Sequence, residues 1–316
     1  MSQLSNFAKY AWFNVGYTVL VILGGALVRA TGSGAGCGRS WPACNGEVIP
    51  RAESTEVLIE FSHRVTSGIT GLFIIGLVVW AYRRRPIEAN PRLLMIGAWL
   101  SLIFVIIEGG IGAALVRMEL VEDNASLLRA IAIGGHLVNT YILLMWLVIT
   151  AWAASVPKVV LRMSRVTWML VGSLVLMAIL SAAGAVTALG DTLFLSGALT
   201  EQFGAQGAAE HFLVQLRVIH PVMAVFVSIF LVGVSYTLMG ENSPRKLRWL
   251  AFGVMGLVGA QTLMGLTVII LRAPLVTQIS HLLLADALWI VLLLLTFEAA
   301  AYVREVPEPS LQRAEA

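Results

Sequence analysis

Charged residues are scarce in this chain of 316 residues. Aspartate, glutamate, lysine and arginine together make up 12% of the sequence, whereas a soluble globular chain carries about a quarter. Apolar residues account for 58%, and the mean hydropathy is +0.86. This composition excludes an ordinary soluble domain and indicates a membrane protein. The formal net charge of +3 gives no reason to expect a nucleic-acid partner.

Eight apolar segments of roughly 20 residues are long enough to cross a lipid bilayer as helices. They cover approximately 12–30, 59–82, 94–116, 130–154, 167–189, 211–239, 249–270 and 280–303. Of the lysines and arginines that flank them, 13 fall on one side of the membrane and 6 on the other, which predicts cytoplasmic N and C termini. The loop 190–210 contains neither residue and is expected outside. The predicted fold class is all-α, a polytopic membrane protein.

Targeting signals of the cleavable kind are missing. The N-terminus has no charged segment followed by a small-residue cleavage site, and no transit sequence rich in arginine and serine. We therefore expect the first segment to remain as an anchor. An unprocessed, multi-pass protein of the bacterial plasma membrane is the localisation that fits these features.

Cysteine is almost absent: Cys37 and Cys44 are the two in the sequence, within GCGRSWPACNG. They lie seven residues apart across a Trp-Pro pair that favours a turn, on the side of the membrane expected to be oxidising. A disulfide is therefore expected. It could staple the loop or act as a redox-active pair, and the sequence leaves both roles open. Two thiols without a neighbouring loop histidine argue against a zinc site.

Four segments followed by four similar segments predict a duplicated fold. We expect two tandem four-helix bundles related by a pseudo-twofold axis, residues 1–156 and 157–316. Odd-numbered segments carry small residues near their outer ends, where helix backbones or a flat macrocycle can approach closely. Each even-numbered segment carries a histidine in its outermost turns, His63, His136, His220 and His281. Because imidazole is a usual axial ligand of haem iron, two histidines per half predict two bis-histidine haem sites.

The two halves differ beside these histidines. Glu60 precedes His63 by three residues, whereas Arg217 precedes His220 by three, and this spacing puts both side chains on one helix face. The first-half site is therefore expected to present an acid able to move protons, and the second-half site a cation suited to haem propionates. An alternative for Glu60 is an interfacial acid paired with Arg64 or a loop arginine.

Two further acids, Glu108 and Asp286, fall within apolar segments, where acids are costly and usually functional. Glu108 aligns with the neutral Gln261 of the second half, which again places acid in the first half. We treat Glu108 and Asp286, with Arg64 and Arg217, as candidate contacts for haem propionates or protons. The fifth histidine, His211, is interpreted as a surface residue at the membrane interface.

With these motifs in place, the sequence resembles the haem A synthases, membrane enzymes that convert haem O to haem A for terminal oxidases. The resemblance covers about 12–303 and rests on GCGRSWPAC, on EFSHR opening the second segment, and on the single histidines of segments four, six and eight. It implies oxidation of the haem C8 methyl group to a formyl group, through successive hydroxylations.

The resemblance also implies roles for the two halves. Haem O, the substrate, would be held by His63 and His136 with Glu60 as the catalytic residue. A resident haem B would be held by His220 and His281 and would pass electrons toward the substrate. Haem O synthase (protohaem farnesyltransferase), terminal-oxidase assembly, an unidentified electron donor and a second copy of the chain are the implied partners.

One departure from the family pattern concerns the cysteines. Some relatives carry a second pair in the second-half outer loop, whereas 190–210 has none here. Cys37 and Cys44 are then the only thiols for a relay. Two other functions remain open: a di-haem, cytochrome b-like electron-transfer protein, which leaves the Glu60 and Arg217 difference unexplained, and a haem transporter, for which helices broken at the midplane are expected.

Overall fold

The computed structural model describes residues 4–51, 53–84, 89–194, 211–241 and 243–302. Eight long apolar helices, each sufficient to cross a membrane, confirm the predicted all-α class. They are α1 (Asn6–Ala30), α2 (Thr55–Arg84), α3 (Pro91–Arg117), α4 (Leu127–Ser155), α5 (Arg165–Phe194), α6 (Phe212–Tyr236), α7 (Arg245–Ile270) and α8 (Leu275–Ala301). Within these residues the β-structure is confined to an isolated bridge between Cys44 and Glu47.

Local sequence explains where several helices begin. The Ser5 side chain accepts the Ala8 backbone N–H at 3.1 Å to cap α1, and Ser126 caps α4 in the same way. Pro91 occupies the first turn of α3, where the missing N–H of proline costs nothing. Proline also immediately precedes α7 and α8.

The helix boundaries differ from the predicted ones at the end that carries the histidines. Helices α2, α4 and α8 begin at Thr55, Leu127 and Leu275, three to five residues earlier than expected, because polar first-turn residues lowered the apolar score. Each histidine consequently lies about two turns inside its helix. Helix α5 continues to Phe194, so that the start of the predicted loop 190–210 is helical. The remainder of that loop lies outside the described residues.

Helix α6 begins irregularly. It is α-helical over Phe212–Gln215, 3-10 over Leu216–Val218 and α-helical again from Ile219. Pro221 explains the break, because it has no N–H to donate to the carbonyl group four residues earlier. The irregular turn directly precedes His220, so the position of this histidine depends on a local departure from α-helical geometry.

The helices pack in the same order in both halves. In the first half each helix contacts the next, and α1 closes the group against α4; in the second half α5 closes against α8 in the same way. The halves meet through α1 and α4 on one side and α5 and α8 on the other. The two tandem four-helix bundles, their pseudo-twofold relation and the division at residue 156 stay predictions.

Specific contacts join the halves. Tyr141 of α4 stacks on Trp289 of α8 with 4.5 Å between ring centroids, and the indole N–H donates to the Tyr141 carbonyl at 3.1 Å. Arg29 of α1 donates to the Ala188 carbonyl at 2.8 Å and to Gln278 of α8 at 2.9 Å. The halves therefore share buried polar contacts as well as apolar packing.

The two ends of the bundle differ in their contents. One end, called the cysteine end, carries the Cys37–Cys44 loop and the N-termini of α2, α4, α6 and α8. The opposite end contains a cluster in which Glu298 accepts from Trp152 at 2.6 Å and from Lys246 at 2.5 Å. Which end faces the cytoplasm stays a prediction. Arg85, Arg304 and Arg313, which contributed to it, lie outside the described residues.

Candidate functional site

All four helix histidines line one cavity. Its volume is about 1630 Å³, and residues of both halves contribute to its walls. A pocket for one small molecule or cofactor typically measures roughly 300–1,000 Å³. The cavity is therefore large enough for more than one ligand of that class. It also connects the two predicted sites, which sequence reasoning had treated as separate.

The second-half histidines face each other across this cavity. The rings of His220 and His281 are 6.4 Å apart between centroids and nearly perpendicular, at 86°. The Nδ1 atom of His220 lies 3.1 Å from the Leu180 carbonyl oxygen. Because a carbonyl only accepts, Nδ1 must carry the hydrogen, which leaves the Nε2 lone pair available for a metal.

Glycines allow the imidazoles to lie directly on neighbouring helices. A Cβ atom added at Gly184 would lie 2.8 Å from Cε1 of His220, and one added at Gly265 would lie 3.1 Å from Cε1 of His281. In the first half, a Cβ at Gly25 would lie 3.0 Å from Cε1 of His63. The small residues of α1, α5 and α7 therefore provide room for three of the histidine rings, whereas a Cβ added at Gly109, Gly110 or Gly112 of α3 would meet nothing within 4 Å.

The fourth histidine, His136, contacts a carboxylate. Its Nδ1 is 3.3 Å from Oε1 of Glu108 on α3. Glu108 also accepts from the Asn139 side chain at 2.5 Å and from the Thr140 hydroxyl. At the aligned position of the second half, the Gln261 amide nitrogen lies 3.3 Å from Nε2 of His281. The two aligned residues thus each contact a histidine of their own half, but at different ring nitrogens, Nδ1 of His136 for Glu108 and Nε2 of His281 for Gln261.

The unpartnered nitrogens of the rings fit metal ligation. Within the described residues, the Nδ1 atoms of His63 and His281 are buried without a hydrogen-bond partner. A buried polar atom without a partner is costly unless a ligand or ion completes it. Two histidine pairs in an apolar cavity, with arginines at its cysteine end, are able to hold two haem groups by their irons and propionates.

Glu60 is held firmly beside His63. It is 3% exposed, and its Oε2 accepts the Cys37 backbone N–H at 2.8 Å. Its Oε1 forms an ion pair with Arg64, whose guanidinium also donates to the carbonyls of Ser40 and Ala43 at 2.6 and 2.7 Å. The alternative of a Glu60–Arg64 pair is thus present in the structure, and Glu60 still lines the cavity.

The cysteine loop is tied to this acid. Cys37 and Cys44 form a disulfide, as expected, and both are completely buried against Val57 and Phe61 of α2. Trp41, from the same loop, contributes to the wall of the cavity. The loop therefore covers the first-half site and donates directly to its carboxylate. Burial of both sulfurs removes the exposure that labile disulfides usually show.

Arginines at the cysteine end were only partly found from the sequence. Arg217 pairs with Asp191 at 2.7 Å and donates to the Gly190 carbonyl, so its charge is already compensated. Arg29 and Arg129 also line the cavity, and sequence reasoning missed both because it counted them as flanking charges. Arginines that fall inside the apolar helices were the signal that could have identified them.

Two predicted residues lie elsewhere. Asp286 is fully buried but does not line the cavity, because five residues of helix rotate it away from His281. Its candidate role as a contact for a haem propionate or a proton stays a prediction. Within the described residues, neither of its carboxylate oxygens has a hydrogen-bond partner.

His211 caps α6, accepts from the Leu213 N–H at 3.3 Å and stacks near Phe212, as expected for an interfacial residue.

Comparison with known proteins gives one family. A family model, COX15-CtaA, described as cytochrome oxidase assembly protein, matches residues 8–293. Among curated proteins, one from Thermus thermophilus named protoheme IX farnesyltransferase is 45% identical over 298 residues, which are 93% of this chain and 48% of that protein. The chain thus spans about half the length of this relative.

Shorter matches are to proteins named heme A synthase. One from Lysinibacillus sphaericus is 47% identical over 108 residues, 33% of this chain and 34% of that protein. Another from Halalkalibacterium halodurans is 35% identical over 144 residues, 46% of this chain and 47% of that protein. These matches cover parts of both chains, and each name is that of the matched protein.

Proposed function

The chain belongs to the COX15-CtaA family of cytochrome oxidase assembly proteins, and from this membership we propose that it is a haem A synthase. It would oxidise the C8 methyl group of haem O to a formyl group. The observation that carries the proposal is the pairing of two unlike histidine sites in one cavity. One site has acids beside its histidines, and the other has an amide and a compensated cation.

The two halves take different roles in this proposal. His63 and His136 hold haem O, the substrate, under the loop closed by Cys37 and Cys44. His220 and His281 hold a resident haem B, which supplies one-electron chemistry when bound. The division into 1–156 and 157–316 as substrate and cofactor halves belongs to the same proposal.

In this proposal Glu60 is the catalytic residue. It is the acid nearest to His63 along the chain, and it lines the cavity. Its carboxylate accepts the Cys37 N–H and contacts Arg64, which fixes its orientation before substrate binds. A carboxylate held this way can stabilise positive charge that develops on the substrate, or accept a proton from it. Arg29 and Arg129, which line the cavity, would bind the propionates.

The proposed setting follows from the relatives. The Thermus protein is named for protohaem farnesyl transfer, is about twice as long as the match, and carries this family's region as part of it. We infer that a protohaem farnesyltransferase supplies haem O to this chain, and that haem A is passed to terminal-oxidase assembly. The protein resides in a bacterial plasma membrane with both termini cytoplasmic.

Pigment analysis of Glu60→Gln tests the proposal. The variant should keep haem B and lose most haem A formation, with haem O or a hydroxylated intermediate accumulating. Glu56→Gln, an exposed acid one turn earlier on the same helix, is the matched control and should behave as the wild type. Protohaem alone in the wild-type protein would favour the electron-transfer function, and equal haem A output from both variants would remove Glu60 from the reaction.

A further inference from the structure

The first- and second-half sites differ in the side chain that contacts one histidine of each pair. Glu108 lies 3.3 Å from Nδ1 of His136, whereas the Gln261 amide nitrogen lies 3.3 Å from Nε2 of His281. The two positions align in the repeat, and both side chains project from the helix that precedes the histidine. The sites therefore differ at this point in the side chain, a carboxylate against an amide, and in the ring nitrogen that it contacts.

Glu108 is surrounded by donors. Asn139 donates to one of its oxygens, and the Thr140 hydroxyl, which also lies 2.9 Å from the His136 carbonyl oxygen, contacts the other. The Asn139 amide also donates to the Phe104 carbonyl at 3.0 Å, which fixes the amide in place. These contacts on both oxygens hold the carboxyl group of Glu108 facing the imidazole. Its 3.3 Å contact is long for a charge-assisted bond, and such contacts shorten when a ligand fixes the ring.

A carboxylate behind a metal-bound imidazole changes the metal. It orients the ring, draws the Nδ1 hydrogen toward itself and makes the imidazole a stronger donor. It also adds negative charge close to the iron, which favours the ferric state because that state carries one more positive charge. A neutral amide orients the ring without either electronic effect.

We propose that Glu108 is a positioning residue that acts through His136 to lower the reduction potential of the first-half haem, while Gln261 leaves the second-half potential without this contribution. This inference rests on the proposed haem ligation by the two histidine pairs. It makes the two sites electronically unequal through their protein surroundings, independently of which haem each one contains.

Reciprocal substitution tests the inference. The holoprotein, purified with its haems, is titrated electrochemically while visible absorption is recorded, and the second-half haem is identified as the one lost in His220→Ala. Glu108→Gln should raise the potential of the first-half haem alone. Gln261→Glu should lower that of the second-half haem alone. Glu108→Asp, which keeps the charge, should restore most of the lower potential.

Glu298→Gln is the control, since this acid lies at the opposite end of α8 and contacts Lys246 and Trp152. Neither potential should change in it. Bound haem with unchanged potentials in both Glu108→Gln and Gln261→Glu would overturn the inference and leave the proposed function standing. If Glu108→Gln loses its haem, the inference is judged by whether Gln261→Glu lowers the reduction potential of the second-half haem. Wild-type protein that binds no haem would overturn the proposed function and the inference together.

Discussion

Adding one methyl group at Gly184 should displace the imidazole of His220. The Cβ of an alanine would lie 2.8 Å from Cε1, 3.1 Å from Nδ1 and 3.4 Å from Nε2 of the ring. The ring cannot simply turn away, because its Nδ1 is hydrogen-bonded to the carbonyl of Leu180, which lies one turn before Gly184 on α5. The substitution must therefore either stretch this bond or move α6 away from α5.

The magnitude follows from these contacts. Overpacking a tight site costs about 1–3 kcal/mol. If the ring escapes by breaking its hydrogen bond, the loss is about 1 kcal/mol and the ring is no longer oriented. A penalty of about 1–3 kcal/mol corresponds to a roughly 5- to 150-fold weaker affinity. We expect Gly184→Ala to lower haem affinity of the second-half site by this factor.

Haem titration of purified protein, followed by absorbance per mole of protein, measures this effect. Gly172→Ala is the matched control: it lies on the same helix, its added Cβ meets nothing within 4 Å, and it does not line the cavity. Because alanine favours helix over glycine by about 1 kcal/mol, this control should be neutral or slightly stabilising. Equal haem affinity in Gly184→Ala and Gly172→Ala would refute the reasoning that the ring depends on this close approach.

Other substitutions test the remaining parts of the site. His220→Ala or His281→Ala should remove the spectrum of the resident haem B and lower the thermal midpoint, and full haem B occupancy in both would contradict the assignment. Replacing Cys37 and Cys44 together with serine should leave measurable haem A synthesis but reduce yield or thermal stability, because closing a short ring contributes a few kcal/mol at most, about 3. Loss of all turnover in a folded double mutant with both haems bound would show instead that the thiols react. Arg64→Met should destabilise the loop by about 3–5 kcal/mol, the cost of leaving a buried carboxylate unpaired, and proteolysis of the loop would report it.

Sequence patterns predicted the features that depend on composition and helical repeat. The eight helices, the disulfide and the placement of one histidine on each even-numbered helix all follow from residues close together in the chain. The depth of the histidines did not follow, because Thr55 and Leu127 begin helices in segments that are too polar to score as apolar.

Contacts between distant segments were beyond the sequence. The bond from the Cys37 N–H to Glu60 depends on how a loop folds back on α2, and the bonds of Arg64 to loop carbonyls depend on the same packing. Asp286 shows the converse. Its type and depth indicated function, but helix rotation turns it away from the cavity, and this rotation is fixed by how α8 packs on α4.

Arg29 has a consequence for the independence of the two halves. Its guanidinium belongs to the first half, but the described contacts that satisfy it are Ala188, Thr192 and Gln278 of the second. Residues 1–156 alone would leave this guanidinium without those acceptors, and a buried charge that loses its partners is strongly destabilising. The first half therefore depends on the second for its own stability, whatever each half binds.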